Sequence, residues 1–128
     1  GEFYTPRMVG VLMARLLDPE PGMEVYDPAC GSGGLLVKTY LRFLEKYGEL
    51  QNGHLKAPDH VPEIRVFGQD INASAYAMSW MNVVIHDIQD ADIRLGDTIW
   101  MVTGPDLPAG TRVRVVSAKG SELMVEEA

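Results

Sequence analysis

The sequence predicts an α/β fold in which parallel β-strands alternate with crossover helices, followed by a β-hairpin at the C-terminal end. Three observations lead to this prediction. Segments with apolar residues at helical spacing alternate with short strand-like runs, and a glycine-rich segment directly follows the first of those runs. Near residue 99 the pattern changes to Gly and Pro turn residues, followed by a segment in which apolar and polar residues alternate. Helices that join successive parallel strands should make right-handed crossovers.

Three helices are expected between residues 5 and 86. The first opens at Thr5-Pro6, because Thr is a good N-cap and Pro is tolerated in the first turn, and it ends before Pro19. The second follows the glycines and ends near Gly48, and Asn72 caps the third. Their apolar stripes are Val9, Leu12, Met13, Leu16 and Leu17, then Leu35, Leu36, Tyr40, Leu41 and Leu44, then Tyr76, Trp80 and Val84.

Three strands are expected between these helices, at residues 23–27, 64–70 and 92–97. The polar segment 48–62, which contains several Gly and Pro residues, is interpreted as a surface loop. Beyond it, residues 111–116 and 123–125 are expected to pair as a β-hairpin. The sequence therefore predicts a partial α/β domain at 1–99 and a β-hairpin tail at 100–128.

Composition excludes several classes of protein. The 128 residues are 46% hydrophobic and carry a net charge of 11 − 18 = −7, as expected of a globular domain and not of a disordered chain. Both halves are acidic, whereas a surface that holds DNA phosphates is normally basic. No run approaches the ~20 apolar residues of a membrane span. With one cysteine and no secretory signal, we expect a cytoplasmic protein without a disulfide, a metal site or a membrane partner.

The segment with the most chemical information follows the first predicted strand. It reads Asp27-Pro28-Ala29-Cys30-Gly31-Ser32-Gly33-Gly34. Ligands of open α/β sheets bind at the carboxyl ends of the strands, where glycines allow close approach of the backbone. The Asp27 carboxylate suits an ammonium or hydroxyl group better than a phosphate, and the amides of Gly33 and Gly34 could hold a carboxylate.

Two further aspartates, Asp70 and Asp97, end the second and third predicted strands. Asp70 could accept hydrogen bonds from both hydroxyls of a ribose, and Asp97 could accept one from an adenine amino group. Each feature has a simpler interpretation: a tightly packed glycine turn, a helix cap at Asp70 and a turn residue at Asp97. Their order along the chain favours a nucleoside-like ligand with a charged amino-acid end.

Two common nucleotide motifs are absent. Residues 31–36 lack the third glycine of the nicotinamide dinucleotide motif, and no Gly-Lys-Ser/Thr triplet of a phosphate-binding loop occurs. An S-adenosylmethionine site is the better interpretation.

Five short motifs then carry a resemblance to a known family. They are Phe3-Tyr4-Thr5-Pro6-Arg7, the 27–34 segment, Gly68-Gln69-Asp70-Ile71-Asn72, Met81-Asn82 with His86, and Gly96-Asp97-Thr98. With these motifs the chain resembles the catalytic domain of adenine-specific DNA methyltransferases, especially the modification (HsdM-type) subunit of type I restriction systems. The resemblance implies a partial Rossmann-like S-adenosylmethionine methyltransferase sheet.

The resemblance also implies which residues hold S-adenosylmethionine. Thr5 and the 27–34 segment would hold the methionine part, Asp70 the ribose and Asp97 the adenine, with Ile71 against the adenine ring. The full set of cofactor-binding residues that it implies is Tyr4, Thr5, Pro6, Asp27, Pro28, Ala29, Gly31, Ser32, Gly33, Gly34, Asp70, Ile71, Asp97 and Thr98. In that family DNA is the substrate, and specificity and restriction subunits are the partners.

One family motif is missing. In such enzymes an Asn or Asp, followed by Pro-Pro and an aromatic residue, holds the flipped adenine in line with the methyl donor. No two prolines are adjacent in this chain. We therefore expect no catalytic residue here, weak or absent cofactor binding, and no methylation of DNA by the chain alone.

The tail after residue 99 allows two interpretations. Residues 100–128 are similar to the last two strands of the small OB-type barrel in NfeD-like proteins, which would make the chain a fusion of two partial domains. Alternatively, the tail is an edge hairpin that extends the sheet.

A second hypothesis concerns the whole chain. It could be a chimeric structural domain with relic methyltransferase motifs, which self-associates as a homo-oligomer through an exposed sheet edge or apolar face.

Overall fold

A computed structural model describes residues 4–96, 101–119 and 122–128. The chain forms two compact units, Gly1–Thr98 and Ile99–Ala128. The first unit contains the helices and a parallel sheet, and the second consists of β-strands. None of the described helices is both long enough and apolar enough to cross a membrane.

The predicted helices of the first unit are present as α1 (Arg7–Leu17), α2 (Gly34–Tyr47) and α3 (Ala73–Ile85). α1 ends at Asp18, which adopts a left-handed conformation with φ 43°. The Asn72 side chain caps α3 by accepting hydrogen bonds from the amides of Ser74 and Ala75. The cap expected at Asn72 is therefore confirmed, whereas the cap expected at Thr5 was wrong: α1 begins at Arg7, after Pro6, and has no side-chain cap.

The predicted parallel sheet is confirmed. Its strands are β1 (Glu24–Asp27), β4 (Arg65–Asp70) and β5 (Ala91–Leu95), arranged in the order β1-β4-β5 with every pair parallel. Asp27 lies opposite Gly68, and Asp70 lies opposite Leu95. The register brings the carboxyl ends of all three strands to one edge of the sheet.

The core of this unit lies between α2, α3 and the sheet. Phe43 of α2, Ile64 just before β4 and Val66 within β4 are fully buried. In α3 the buried positions are Ala75, Ser79 and Val83, and Tyr76 and Trp80 pack at the margin of the core. The expected stripe was wrong at one position, because Val84 is 73% exposed.

The buried face of α1 is not the one that its amphipathic pattern suggests. Its buried residues are Gly10 and Ala14, the small residues that allow close contact with α2. The apolar stripe that predicts the helix is exposed, at Val9, Leu12, Met13, Leu16 and Leu17. The stripe therefore marks an apolar surface of the first unit.

Segment 48–62 is not the simple surface loop that the sequence suggested. It contains a short antiparallel hairpin of β2 (Glu49–Gln51) and β3 (His54–Lys56). Asn52 and Gly53 form its turn with φ values of 50° and 81°. Asn-Gly is the dipeptide that two-residue hairpin turns favour, because both of its residues tolerate positive φ.

The second unit is a three-stranded sheet with the order β6-β8-β7. β7 (Val113–Lys119) and β8 (Glu122–Glu127) form the expected antiparallel hairpin, with a register shift between Val115 and Ser117. β6 (Met101–Thr103), which the sequence analysis missed, pairs in parallel with β8. Among the described residues, the strands of the tail pair with one another in a separate three-stranded sheet.

Candidate functional site

The glycine-rich segment forms a tight loop between β1 and α2, which we call the glycine loop (residues 28–33). The Cys30 amide donates to the Gln69 carbonyl of β4 at 2.9 Å, and the Gly33 amide donates to the Cys30 carbonyl at 2.8 Å. Gly31 and Gly33 have φ values of 55° and 77°. Such left-handed backbone favours glycine, which explains two of the glycines in the motif.

Asp27 ends β1 directly before this loop. Its Oδ1 accepts a hydrogen bond from the Ala29 amide at 3.1 Å. Burial raises the pKa of the Asp27 carboxyl above its ordinary value, and the nearby Asp70 carboxylate raises it further. A cationic group from a ligand would relieve both effects.

Asp70 ends β4 and contacts the glycine loop from the neighbouring strand. Its Oδ2 accepts from the Gly31 amide at 2.9 Å, and its Oδ1 accepts from the Asn72 amide at 2.8 Å. A carboxylate has about four lone-pair sites, so both oxygens retain acceptor capacity. Asp70 therefore holds the loop and the start of α3, and can still accept hydroxyl groups.

Asn82 of α3 holds the glycine loop from the other side. Its Nδ2 donates to the Ser32 carbonyl at 2.8 Å, a contact between residues 50 positions apart in the sequence. One turn earlier, Ser79 lies against Gly33, where an added Cβ would come within 3.2 Å of the Ser79 Cβ. Sequence reasoning assigned Asn82 no role. Its only signal was that Met81-Asn82 belongs to one of the five motifs.

A pocket of about 240 Å³ opens beside the glycine loop. Its lining consists of Tyr4, Thr5, Asp27, Ala29, Cys30, Gly31, Ser32, Gly34, Leu35 and Lys38. Seven of the candidate cofactor-binding residues are thus brought together: Tyr4, Thr5, Asp27, Ala29, Gly31, Ser32 and Gly34. Lys38, which the sequence analysis did not select, adds a positive charge.

The other candidates are not part of this lining. Pro6 is the exposed residue before α1, and Gly33 is buried at the end of the glycine loop. Ile71 follows Asp70 and is 76% exposed. The remaining two candidates, Asp97 and Thr98, lie outside the described residues.

Pro28 belongs instead to a larger, mostly apolar pocket of about 510 Å³ between α1, β1 and α2. Met13, Leu16 and Leu17 of the exposed stripe also line it. The aliphatic lining and the scarcity of polar groups distinguish it from the pocket at the glycine loop.

Cys30 lines the smaller pocket but is poorly suited to act as a nucleophile. Cys30 is only 6% exposed. Burial raises the pKa of its thiol, and the negative charges of Asp27 and Asp70 raise it further. Because the thiolate is the reactive form, this environment keeps the sulfur inert at neutral pH.

The sequence of the whole first unit matches that of a known family. A family model described as N-6 DNA Methylase matches residues 1–109. The chain belongs to the N-6 DNA methylase family. The match ends eleven residues after Thr98, the last residue of the first unit (109 − 98 = 11).

Relatives of this chain include the methylase subunit of the type I restriction enzyme MjaVII from Methanocaldococcus jannaschii. It is 35% identical over 101 residues, which cover 77% of this chain and 15% of the relative. The chain thus spans about 15% of the length of that curated relative.

Solved structures support the same fold. The type I methyltransferase subunit from Streptococcus thermophilus has 27% identity and a TM-score of 0.57, covering 76% of this chain and 19% of its own. A modification subunit of a putative type I restriction enzyme from Vibrio vulnificus has 25% identity and a TM-score of 0.59. The match covers 83% of this chain and 24% of the Vibrio chain. The chain therefore contains part of the Rossmann-like fold of methyltransferases.

Proposed function

We propose that this chain is the S-adenosylmethionine-binding part of a DNA adenine-N6 methyltransferase of a type I restriction-modification system. The observation that carries the proposal is the convergence of Asp27, the glycine loop and Asp70 on one edge of the sheet. Membership of the N-6 DNA methylase family supports the same chemistry.

The donors and acceptors at this edge fit the cofactor. In the proposed arrangement, Tyr4, Thr5, Pro6 and the 27–34 segment contact the methionine part, with Asp27 accepting from its ammonium. Asp70 accepts from the ribose hydroxyls, Ile71 lies against the adenine ring, and Asp97 and Thr98 contact the adenine. Apart from Gly31 and its two neighbours, no atom of the described residues lies within 4 Å of the point where a Cβ on Gly31 would project, so there is room at the loop for a ligand.

The bound cofactor would supply the methyl group, and the residues of this chain would orient it. They contribute no Asn-Pro-Pro-aromatic motif to hold the target adenine, since the chain contains no Pro-Pro. Its net charge of −7 also opposes binding to DNA phosphates. We therefore propose that the chain alone transfers no methyl group, and that DNA and the specificity and restriction subunits contact the complete enzyme.

A second candidate function is self-association as a structural domain with relic motifs. The exposed apolar stripe of α1 favours it, because Leu16 is 77% and Leu12 56% exposed. Contiguous apolar surface of this kind commonly forms interfaces. Under this hypothesis a second copy of the chain would cover α1.

One set of variants distinguishes the two functions. Asp70→Asn and Asp70→Ala should weaken binding of S-adenosylhomocysteine, measured by calorimetry, by tenfold or more, because a charged acceptor contributes roughly 1.5–3 kcal/mol. Asp90→Asn is the control, since Asp90 is exposed and pairs with Arg65 at the amino end of β4.

Asp70 also holds two backbone amides, so urea unfolding must accompany the titration. No heat from millimolar ligand with the folded wild-type chain would contradict cofactor binding. A self-associating domain would instead keep its sedimentation behaviour in all three variants and bind no cofactor.

A further inference from the structure

The pocket at the glycine loop contains one charged residue that the family motifs do not account for, Lys38. It lies in the second turn of α2, and its Nζ donates to the Gly34 carbonyl at 3.3 Å. Gly34 and Lys38 both line the pocket, together with Thr5 and Ser32. The ammonium group is therefore held at the pocket instead of extending into solvent.

The packing of α1 directs the Lys38 side chain. A Cβ on Gly10 would lie 2.7 Å from the Lys38 Cδ and 3.0 Å from its Cε, closer than packed atoms approach. Gly10 is buried in the middle of α1, where glycine costs helix stability relative to alanine. Its missing side chain is what leaves room for the Lys38 stem to run between the helices to the pocket.

Charge makes this position significant. Among the described residues that line the pocket, Lys38 is the one cation and Asp27 the one carboxylate. In the described part of the chain Lys38 forms no ion pair, whereas Lys46 on the same helix pairs with Asp18. The hydrogen bond to Gly34 uses one of the three N–H donors of the ammonium, which leaves two for a ligand.

A positive and a negative group in one small pocket complement a zwitterion. The ammonium of an α-amino acid fits Asp27, and its carboxylate fits Lys38. We propose that Lys38 binds the α-carboxylate of the cofactor and makes the pocket selective for ligands with a free amino-acid end. This inference rests on the proposed function and extends it to a residue that specifies the ligand.

The test compares two ligands that differ at this end. S-adenosylhomocysteine carries the α-ammonium and α-carboxylate, while 5′-methylthioadenosine has the same adenosine and thioether but ends in a methyl group. Lys38→Met should lower the affinity for S-adenosylhomocysteine by about tenfold or more, the effect of one charged hydrogen bond. The affinity for 5′-methylthioadenosine should change by less than about twofold, because this ligand has no carboxylate that could bind Lys38.

Two further variants complete the design. Lys38→Arg keeps the charge and should retain most of the affinity, and Lys46→Met removes a charge from the same helix outside the pocket and should change neither ligand. Urea unfolding of each variant checks the fold, and Lys38→Gln replaces Lys38→Met if the latter disturbs the packing of α1 on α2.

Each outcome is decisive. Equal weakening of both ligands, or no weakening of S-adenosylhomocysteine, overturns the role of Lys38 and leaves the cofactor site intact. A folded wild-type chain that binds neither ligand overturns the proposed function and this inference together.

Discussion

Asp27 and Asp70 place two carboxylates around one glycine loop. Asp27 is half-buried, and its pKa is raised by that burial and by the charge of Asp70. Such an arrangement disfavours the empty, ionised state and favours a ligand that brings a positive group. The site therefore gains ligand affinity at some expense of stability.

Asp27→Asn tests this trade-off. The variant keeps the Oδ1 acceptor for the Ala29 amide and removes the charge, so it should raise the free energy of unfolding at pH 7 while weakening binding of S-adenosylhomocysteine. For a carboxyl whose folded pKa is raised, the penalty is absent below the unfolded pKa of about 3.9 and develops as the pH rises through the folded pKa. The stability difference should thus vanish near pH 3 and grow toward neutral pH.

Urea unfolding at several pH values measures this difference. Asp90→Asn is the matched control and should give no gain, because it removes an exposed ion pair with Arg65. If the Asp27→Asn variant is less stable than the wild type at pH 7, the electrostatic interpretation is contradicted.

At the scale of single residues, the sequence predicts side chains that follow strand ends. Asp27 and Asp70 were identifiable because each is the last residue of a predicted strand. Asn82 and Lys38 were not, since their positions depend on how α3 and α1 pack against the loop and on the missing side chain of Gly10. Such contacts are set by tertiary packing, which no local pattern encodes.

Among the elements, α3 stabilises the glycine loop through a side-chain hydrogen bond. The sequence identifies it by its cap and spacing, but its hydrogen bond from Asn82 to the Ser32 carbonyl becomes evident only in the folded chain. The β2–β3 hairpin was missed for another reason. Its signal, Asn52-Gly53 between Leu50 and Leu55, is present in the sequence but lies within a segment rich in loop residues.

Asn82→Asp tests the support from α3. The carboxylate has nearly the same shape but cannot donate to the Ser32 carbonyl, so the loop should exchange its amide hydrogens faster and cofactor affinity should fall about tenfold. Hydrogen exchange and calorimetry measure the two effects.

The control for this variant is Val83→Ala, the next residue of α3. Val83 is buried in the core, and its truncation should cost roughly 1–3 kcal/mol of stability while leaving the Ser32 contact in place. Equal losses of affinity in the two variants would mean that Asn82 acts only through general stability.

For the whole molecule, the largest difference between expectation and structure is α1. Its periodicity correctly predicts a helix, yet that stripe is exposed and the buried face consists of Gly10 and Ala14. An amphipathic pattern indicates that a helix has an apolar face, but it does not indicate what covers that face. The curated relatives, of which the chain spans about 15%, are long enough to supply such a cover.

The single buried cysteine gives the protein a built-in chemical reporter. Cys30 lies within the glycine loop and is buried, so we expect a thiol reagent to react with it mainly when the loop opens. The rate of its modification by a disulfide reagent should therefore measure loop opening in the unmodified protein. S-adenosylhomocysteine should slow that rate, and urea should raise it to the rate of a free thiol. A rate that the ligand leaves unchanged would mean that the loop does not close on it.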